Sequence, residues 1–423
     1  MINTHLQHMM KIALVNRSDS TGGAAIVTRR LMHALRAEGV DARMLVLEKL
    51  TDDPHVISIA SPLADKYNFL AERWSIFLRN GFSRERLFKA DIANHGRNIV
   101  RHPWIREADV VMLNWVNQGF LSLKSIGRLC ETGKPVIWTM HDMWPMTGVC
   151  HHALQCDGYR HVCRGCQFLD SIKVDLSTAV QSQKNKLYTL HPGLRFVAVS
   201  NWLADCARGS RLLHGKQVEV IPNAIDVEQF RWERQHGGSL GIGEDKTVIV
   251  MGAARLDDSI KGFDLLIDTT RYLRKNYPVV AGGLHLVLFG GIRDRSLLDQ
   301  LAVSYTYLGP VNGIDRLVDI YTQADVVLST SRFETLPGTL IEGMACGCTA
   351  VSFGAGGQRD IIDHRSTGYI AAEMEPEAIA EGIAWAAMAG LDRHSLHQIV
   401  ARKFAAPVVA RRYIELCENL LRG

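Results

Sequence analysis

At 423 residues the chain is longer than one hydrophobic core usually serves, and 47% hydrophobic with 22% charged residues describes ordinary globular material in two or three domains. Forty-eight Lys and Arg against 44 Asp and Glu argue against a nucleic-acid binder. No apolar run is long enough to span a bilayer, the first residues lack a signal core, and nine cysteines point to buried thiols or a metal site rather than disulfides, so a cytoplasmic protein is expected.

Lys11 to Val15 reads as a short apolar strand, followed by a polar loop, Gly22-Gly23, and a helical pattern through Ile26, Leu31 and Leu35. The two glycines either let the backbone approach a ligand at a helix start or make a tight turn with none. Their spacing lacks the three-glycine dinucleotide fingerprint, which disfavours an NAD enzyme. Asp41 to Leu47 is a second strand. Residues 51–105 then interleave Trp74, Phe77, Phe82 and Phe88 with Arg73, Arg79, Arg84, Arg86, Lys89, Arg97 and Arg101. The expectation is helices whose aromatics pack inward and whose charges are solvated; the alternative is a surface for an anionic membrane or acceptor.

Ala108 to Trp115 is a strand ending in polar residues, and after a helical stretch Val136 to Thr139 is another. This alternation predicts a parallel sheet. His141, beside Asp142 and Trp144, follows that strand and falls at the carboxyl edge of the sheet, either facing a ligand or serving as a structural histidine. Cys150, Cys156, Cys163 and Cys166 come next. Four thiols ending in Cys-x-x-Cys suit a closed, structural zinc site without an open coordination position; a redox pair or four unrelated thiols are the alternatives.

After strands beginning near Phe196 and Val218, residues 231–244 lose apolar periodicity and gain Gly237, Gly238, Gly241 and Gly243. The expected division is residues 1–228 and 229–400, with a helical tail at 401–423. The second half repeats the alternation, with strands at Thr247 to Met251, Leu284 to Phe289, Asp325 to Leu328 and Thr349 to Phe353. Arg255 and Lys261 lie between its first strand and helix, where two cations beside a helix start can hold a diphosphate and stabilise it as a leaving group. Glu334 and Glu342 bracket the strand-to-helix turn within Ser329 to Gly347, and carboxylates there suit sugar hydroxyls.

The Glu334-x7-Glu342 motif, the Arg255 and Lys261 pair, the Gly22-Gly23 loop and His141 stand in the order of the family 4 retaining glycosyltransferases of GT-B architecture, which the chain resembles over nearly its whole length. The run from His141 through Gly148 into the cysteines resembles the bacterial subgroup that includes colanic acid and similar exopolysaccharide enzymes. The resemblance implies an α/β fold of two facing Rossmann-like domains with parallel sheets and an interdomain cleft. It also implies transfer of a sugar, with retention, from a UDP- or GDP-sugar to a saccharide or lipid-linked acceptor. No catalytic cofactor is implied, and the place of work would be the cytoplasm or the inner face of its membrane.

By the same resemblance Arg255 and Lys261 bind the donor diphosphate, Glu342 the ribose and Glu334 the transferred sugar. Gly338 and Thr339 offer backbone to phosphate or sugar, the base rests near Gly309, His141 reaches the donor sugar, and Gly22-Gly23 lies near acceptor and phosphates. Pro337 departs from the glycine many members carry and has no N–H to offer. A non-catalytic nucleotide-sugar-binding scaffold, or a phosphorylase or epimerase of the same architecture, is the alternative.

Overall fold

The computed structural model describes residues 9–84, 87–170, 175–233 and 240–423. Arg86, Gly237 and Gly238 lie outside them. The chain divides into two compact units, Met1–Ile221 with Val409–Gly423, and Pro222–Val408, against the expected divisions after residues 228 and 400.

The first unit carries β1 (Lys11–Val15), β2 (Asp41–Val46), β3 (Val56–Ser58), β4 (Val110–Leu113), β5 (Val136–Met140), β6 (Arg195–Ala198) and β7 (Val218–Val220). They form one parallel sheet in the order β3-β2-β1-β4-β5-β6-β7. Chain order reverses between β1 and β4, so their carboxyl ends open a crevice where ligands bind in such sheets. β4 and β5 are buried along their whole length, as strands covered by helices on both faces must be. Trp138 on β5 packs among Trp144, Tyr188 and Phe196 and anchors this core.

Residues 409–423 belong to this unit through Tyr413, whose hydroxyl lies 3.2 Å from Thr139 Oγ1, and Arg411, paired with Glu38 at 2.9 Å. The expected tail helix is two, Arg393–Phe404 and Ala406–Arg422. They break at Ala405, where extended backbone bridges Ile225 and takes Phe404 O and Ala406 N out of the helical ladder.

The second unit carries β8 (Thr247–Arg255), β9 (Leu284–Gly291), β10 (Ser304–Tyr307), β11 (Val326–Ser329), β12 (Thr349–Phe353) and β13 (Gly368–Ala371), again all parallel, in the order β10-β9-β8-β11-β12-β13. Here the order reverses between β8 and β11. Ile249, Met251, Leu286, Leu328 and Val351 pack with Leu266, Ile267 and Ile383 into its core. β8 outruns the expected strand, passing a bulge at Gly252 to end on Arg255. Among the described residues no helix is long and apolar enough to cross a membrane.

The expectation for residues 51–105 is corrected. Helix Pro62–Arg79 does form, but Trp74, Phe82 and Phe88 are exposed, while the positions it buries are Glu72, Arg73 and Ile76. A buried charge pair turns the helix the other way round, as described below.

Candidate active site

In the first unit the crevice is built from three strand ends. After β1, Ser18 Oγ accepts the amides of Ser20 and Thr21 and folds the loop so that Gly22 takes a positive φ of 85° and caps the Gly23–Ala37 helix. No side chain caps that start and no acidic residue lies in its first turn. A Cβ at Gly22 or Gly23 would meet nothing within 4 Å, so this helix end faces open space. The β1 loop is tied to the β4 loop by Trp115 N donating to Asn16 Oδ1 at 2.8 Å and by Arg17 N donating to Trp115 O at 2.9 Å.

His141, just after β5, lies 3.0 Å from Asn114 Oδ1 at the end of β4 through its Nε2. Asn114 directs its own amide nitrogen toward Met112 O, so its oxygen accepts and His141 carries its proton on Nε2. Burial lowers the His141 pKa to about 4, against a small opposing pull from Asp142, so the ring is neutral at pH 7. Asn114 is a positioning residue that the sequence reading missed, although the polar end of that strand was its signal.

Behind His141 lies a buried charge network. His151 sits between two carboxylates, Nδ1 at 2.6 Å from Asp142 Oδ2 and Nε2 at 2.7 Å from Asp91 Oδ2. Burial opposes its charge, but the two aspartates outweigh burial and raise its pKa to about 10. Asp142 also accepts from Trp115 Nε1 and Trp144 N; burial would raise it, yet the His151 imidazolium, the nearby His152 and the Trp144 amide hold it down to about 2. Asp91 in turn pairs with Arg73, whose guanidinium donates to Leu87 O and Ala90 O. Glu72 Oε1 accepts the amides of Ile92 and Ala93. The network fixes both the loop that carries His141 and the helix Pro62–Arg79.

The geometry gives the four-cysteine zinc expectation no support: among the described residues no group of three or more His, Cys, Asp or Glu is placed to hold a metal ion, and all four cysteines are free thiols. Cys156 is exposed, whereas burial pushes the Cys150 thiol up to about 12. The loop is held by other means. Fully buried Lys184 donates to Trp144 O, Thr147 O and Gly148 O at 2.5, 3.1 and 3.0 Å. Val149, Leu176 and Val180 form a small core with Ile76, against which Cys166 packs.

In the second unit the structure brings two predicted residues into contact: Lys261 Nζ donates to Glu334 Oε1 at 2.5 Å. Each is positioned by backbone. Thr330, following β11, donates through its hydroxyl to Lys261 O at 3.0 Å, and Arg332 N donates to Ile260 O at 2.7 Å. Glu334 O accepts Gly357 N at 3.0 Å and bridges Gly356, where a Cβ would come within 2.0 Å of that oxygen. Gly262 is demanded twice, by φ of 67° and by a Cβ position 2.2 Å from Thr330 O. Gly262→Ala should therefore cost on the order of 2–4 kcal/mol, read as a lowered denaturation midpoint.

Arg255 ends β8 with its Nε 3.3 Å from Asp257 Oδ1 and Nη2 3.4 Å from Asp258 Oδ2, so carboxylates share its charge. Pro337 is the N-cap of the Gly338–Ala345 helix, whose first intrahelical bond runs from Ile341 N to Pro337 O. The amides of Gly338 and Thr339 thus belong to the outward-facing set at a helix start. Pro337 removes an amide one residue before this set, so its missing N–H costs the helix nothing. Glu342 is half-buried on the same helix, and Gly343 presses it onto Val327 of β11, where a Cβ would meet side-chain carbon at 2.6 Å. Gly309, after β10, has φ of 71°, and its carbonyl accepts Gly290 N at 2.8 Å. Gln358, fully buried two residues past Gly356, has neither side-chain polar atom hydrogen-bonded; sequence reading passed over it.

Two parallel-sheet α/β units, each with its candidate groups at the carboxyl ends of the strands beside its order reversal, define a GT-B fold. Solved structures match it over almost the whole chain. Anabaena HepE, solved with UDP and with UDP-glucose, and covering 97% of this chain, has a TM-score of 0.60 and 16% identity to it over 99% of its own length, in its complex with UDP and glucose. Sucrose-phosphate synthase from Thermosynechococcus elongatus reaches 0.65 at 16% identity, over 98% of this chain and 99% of its own.

Residues 21–229 match the family model Glycosyltransferase Family 4, and residues 245–388 match Glycosyl transferases group 1. The chain belongs to these glycosyltransferases. Among curated relatives, the Escherichia coli protein WcaC, named for colanic acid biosynthesis, is 24% identical over 69% of this chain and 71% of its own length. The D-inositol 3-phosphate glycosyltransferase of Saccharomonospora viridis is 27% identical over 40% of this chain and 42% of its own.

Proposed function

We propose that the protein transfers a sugar, with retention of anomeric configuration, from a nucleotide diphosphate sugar to a saccharide or lipid-linked saccharide acceptor in polysaccharide biosynthesis. It would work on the cytoplasmic side of the membrane. The observation that carries the reading is the Lys261–Glu334 contact at the order reversal of the second sheet, with the Gly338–Ala345 helix start beside it in sequence. A cation and outward-facing amides suit the diphosphate, and the carboxylate suits the sugar.

In this mechanism the donor inserts between paired groups. Lys261 and Arg255 turn to the diphosphate and absorb the charge that develops as the glycosidic bond breaks, while Glu334 and Glu342 hold sugar and ribose hydroxyls. The acceptor attacks from the face the diphosphate leaves. His141 is neutral and carries its proton on Nε2 toward Asn114, so it would add no charge beside a bound sugar. The UDP and UDP-glucose complexes of HepE make UDP-sugars the first donors to test ahead of GDP-sugars.

The test is release of free nucleoside diphosphate from a panel of UDP- and GDP-sugars, with and without saccharide acceptors, and NMR of the product anomer. Acceptor-dependent release with retained configuration is expected. Donor binding without turnover would point to a scaffold. Turnover without an acceptor, giving an isomerised sugar, would point to an epimerase.

A further inference from the structure

We propose that the outward face of the Pro62–Arg79 helix, extended by Phe82 and Phe88, is a docking surface for an anionic lipid bilayer. Leu63, Tyr67, Leu70, Trp74 and Leu78 recur at the spacing of a single helical face. Leu63 is 87% exposed, Tyr67 65%, Leu70 50% and Trp74 60%. Trp74 packs on Phe77 at 5.3 Å between ring centroids and Phe77 on Phe82 at 5.6 Å, so the patch continues past the helix end. Contiguous apolar surface of this kind marks an interaction site rather than ordinary exposure.

The orientation is imposed from beneath. Glu72 accepts two backbone amides, and Arg73 donates to Leu87 O, Ala90 O and Asp91. Only one face of the helix can satisfy these buried charges, and that choice forces the apolar stripe outward.

Charge selects the occupant. Lys66, Arg79, Arg84 and Lys89 are exposed around the stripe. Among the described residues of the same segment the carboxylates are turned inward: Glu72 is buried, and Asp65 accepts Ser61 N at 2.6 Å and lies 3.5 Å from Arg97. Tyr and Trp between an apolar face and flanking cations suit the headgroup boundary of an anionic membrane.

The proposal rests on the proposed function only for its purpose, which is to hold the enzyme beside lipid-linked acceptors. Vesicle binding is read without donor, so either idea can fail alone. The full-length protein is sedimented with vesicles of phosphatidylcholine and of phosphatidylcholine mixed with phosphatidylglycerol. Binding to the mixed vesicles, weakened by salt, is expected. It should fall about tenfold or more in L70E/W74E and in K66E/R79E/R84E, with unchanged thermal unfolding because these side chains point outward. Equal partition of wild type and both variants, or no binding to anionic vesicles, overturns the proposal. A wild-type dimer in sedimentation velocity that L70E/W74E dissociates, without vesicle binding, assigns the face to a second copy and overturns it too.

Discussion

Lys261→Ala should lower the rate of nucleoside diphosphate release by about 10²–10³-fold, the loss typical of removing one preorganised group from a developing anion. Glu334→Ala should fall by a similar factor. The two losses should not add, because Lys261 and Glu334 meet at 2.5 Å and each variant already frees the partner from its site geometry. Single-turnover rates of the two single variants and the double variant measure this directly. Additive losses would place the residues in separate roles, and unchanged rates in all three would remove them from the reaction. Both side chains are partly exposed, at 30% and 18%, so melting temperatures should barely change and activity loss can be read as function.

The largest stability effect should come from His151→Ala, at about 3–5 kcal/mol in urea unfolding, because it leaves Asp142 buried without its cationic partner and Asp91 with Arg73 alone. The pH dependence follows from the shifts. His151 is raised to about 10, so its stabilisation is full below the unfolded value near 6.5 and is lost as pH rises through 10. Asp142 is lowered to about 2, so its contribution is present above the unfolded value near 3.8 and is lost as pH falls through 2. His141 acts oppositely to His151. Its depressed pKa means the unfolded chain takes up a proton first as pH drops from 6.5 toward 4, which costs stability in that window. Wild type should be most stable near pH 6.5 and lose stability steadily from there to pH 10, and His151→Ala should lack that alkaline decline.

The alternation of apolar strands with amphipathic helices made the two-domain parallel architecture legible, since strands such as Val136–Met140 are too apolar for anything but burial on both faces. Three strands escaped that reading. Val56–Ser58 spans three residues, Ser304–Tyr307 alternates Ser and Thr with Tyr and has no apolar run, and Gly368–Ala371 begins on a glycine. In the candidate site, the order of Arg255, Lys261, Glu334 and Glu342 along the chain was readable. The direct meeting of Lys261 with Glu334 was not, because the contact joins residues 73 positions apart.

Sequence by itself determined the class of fold, the crevice-facing loops and the residue types that could handle a diphosphate and a sugar, because these rest on local periodicity and on short spacings around strand ends. Tertiary structure alone decided which face of Pro62–Arg79 is buried, what holds the cysteine loop, and which proton His141 carries. Each of these depends on partners distant in the chain: Asp91 for Arg73, Lys184 for the carbonyls at 144–148, and Asn114 for His141. A buried charge must find its partner wherever the fold brings one, and that requirement outranks hydrophobic pattern.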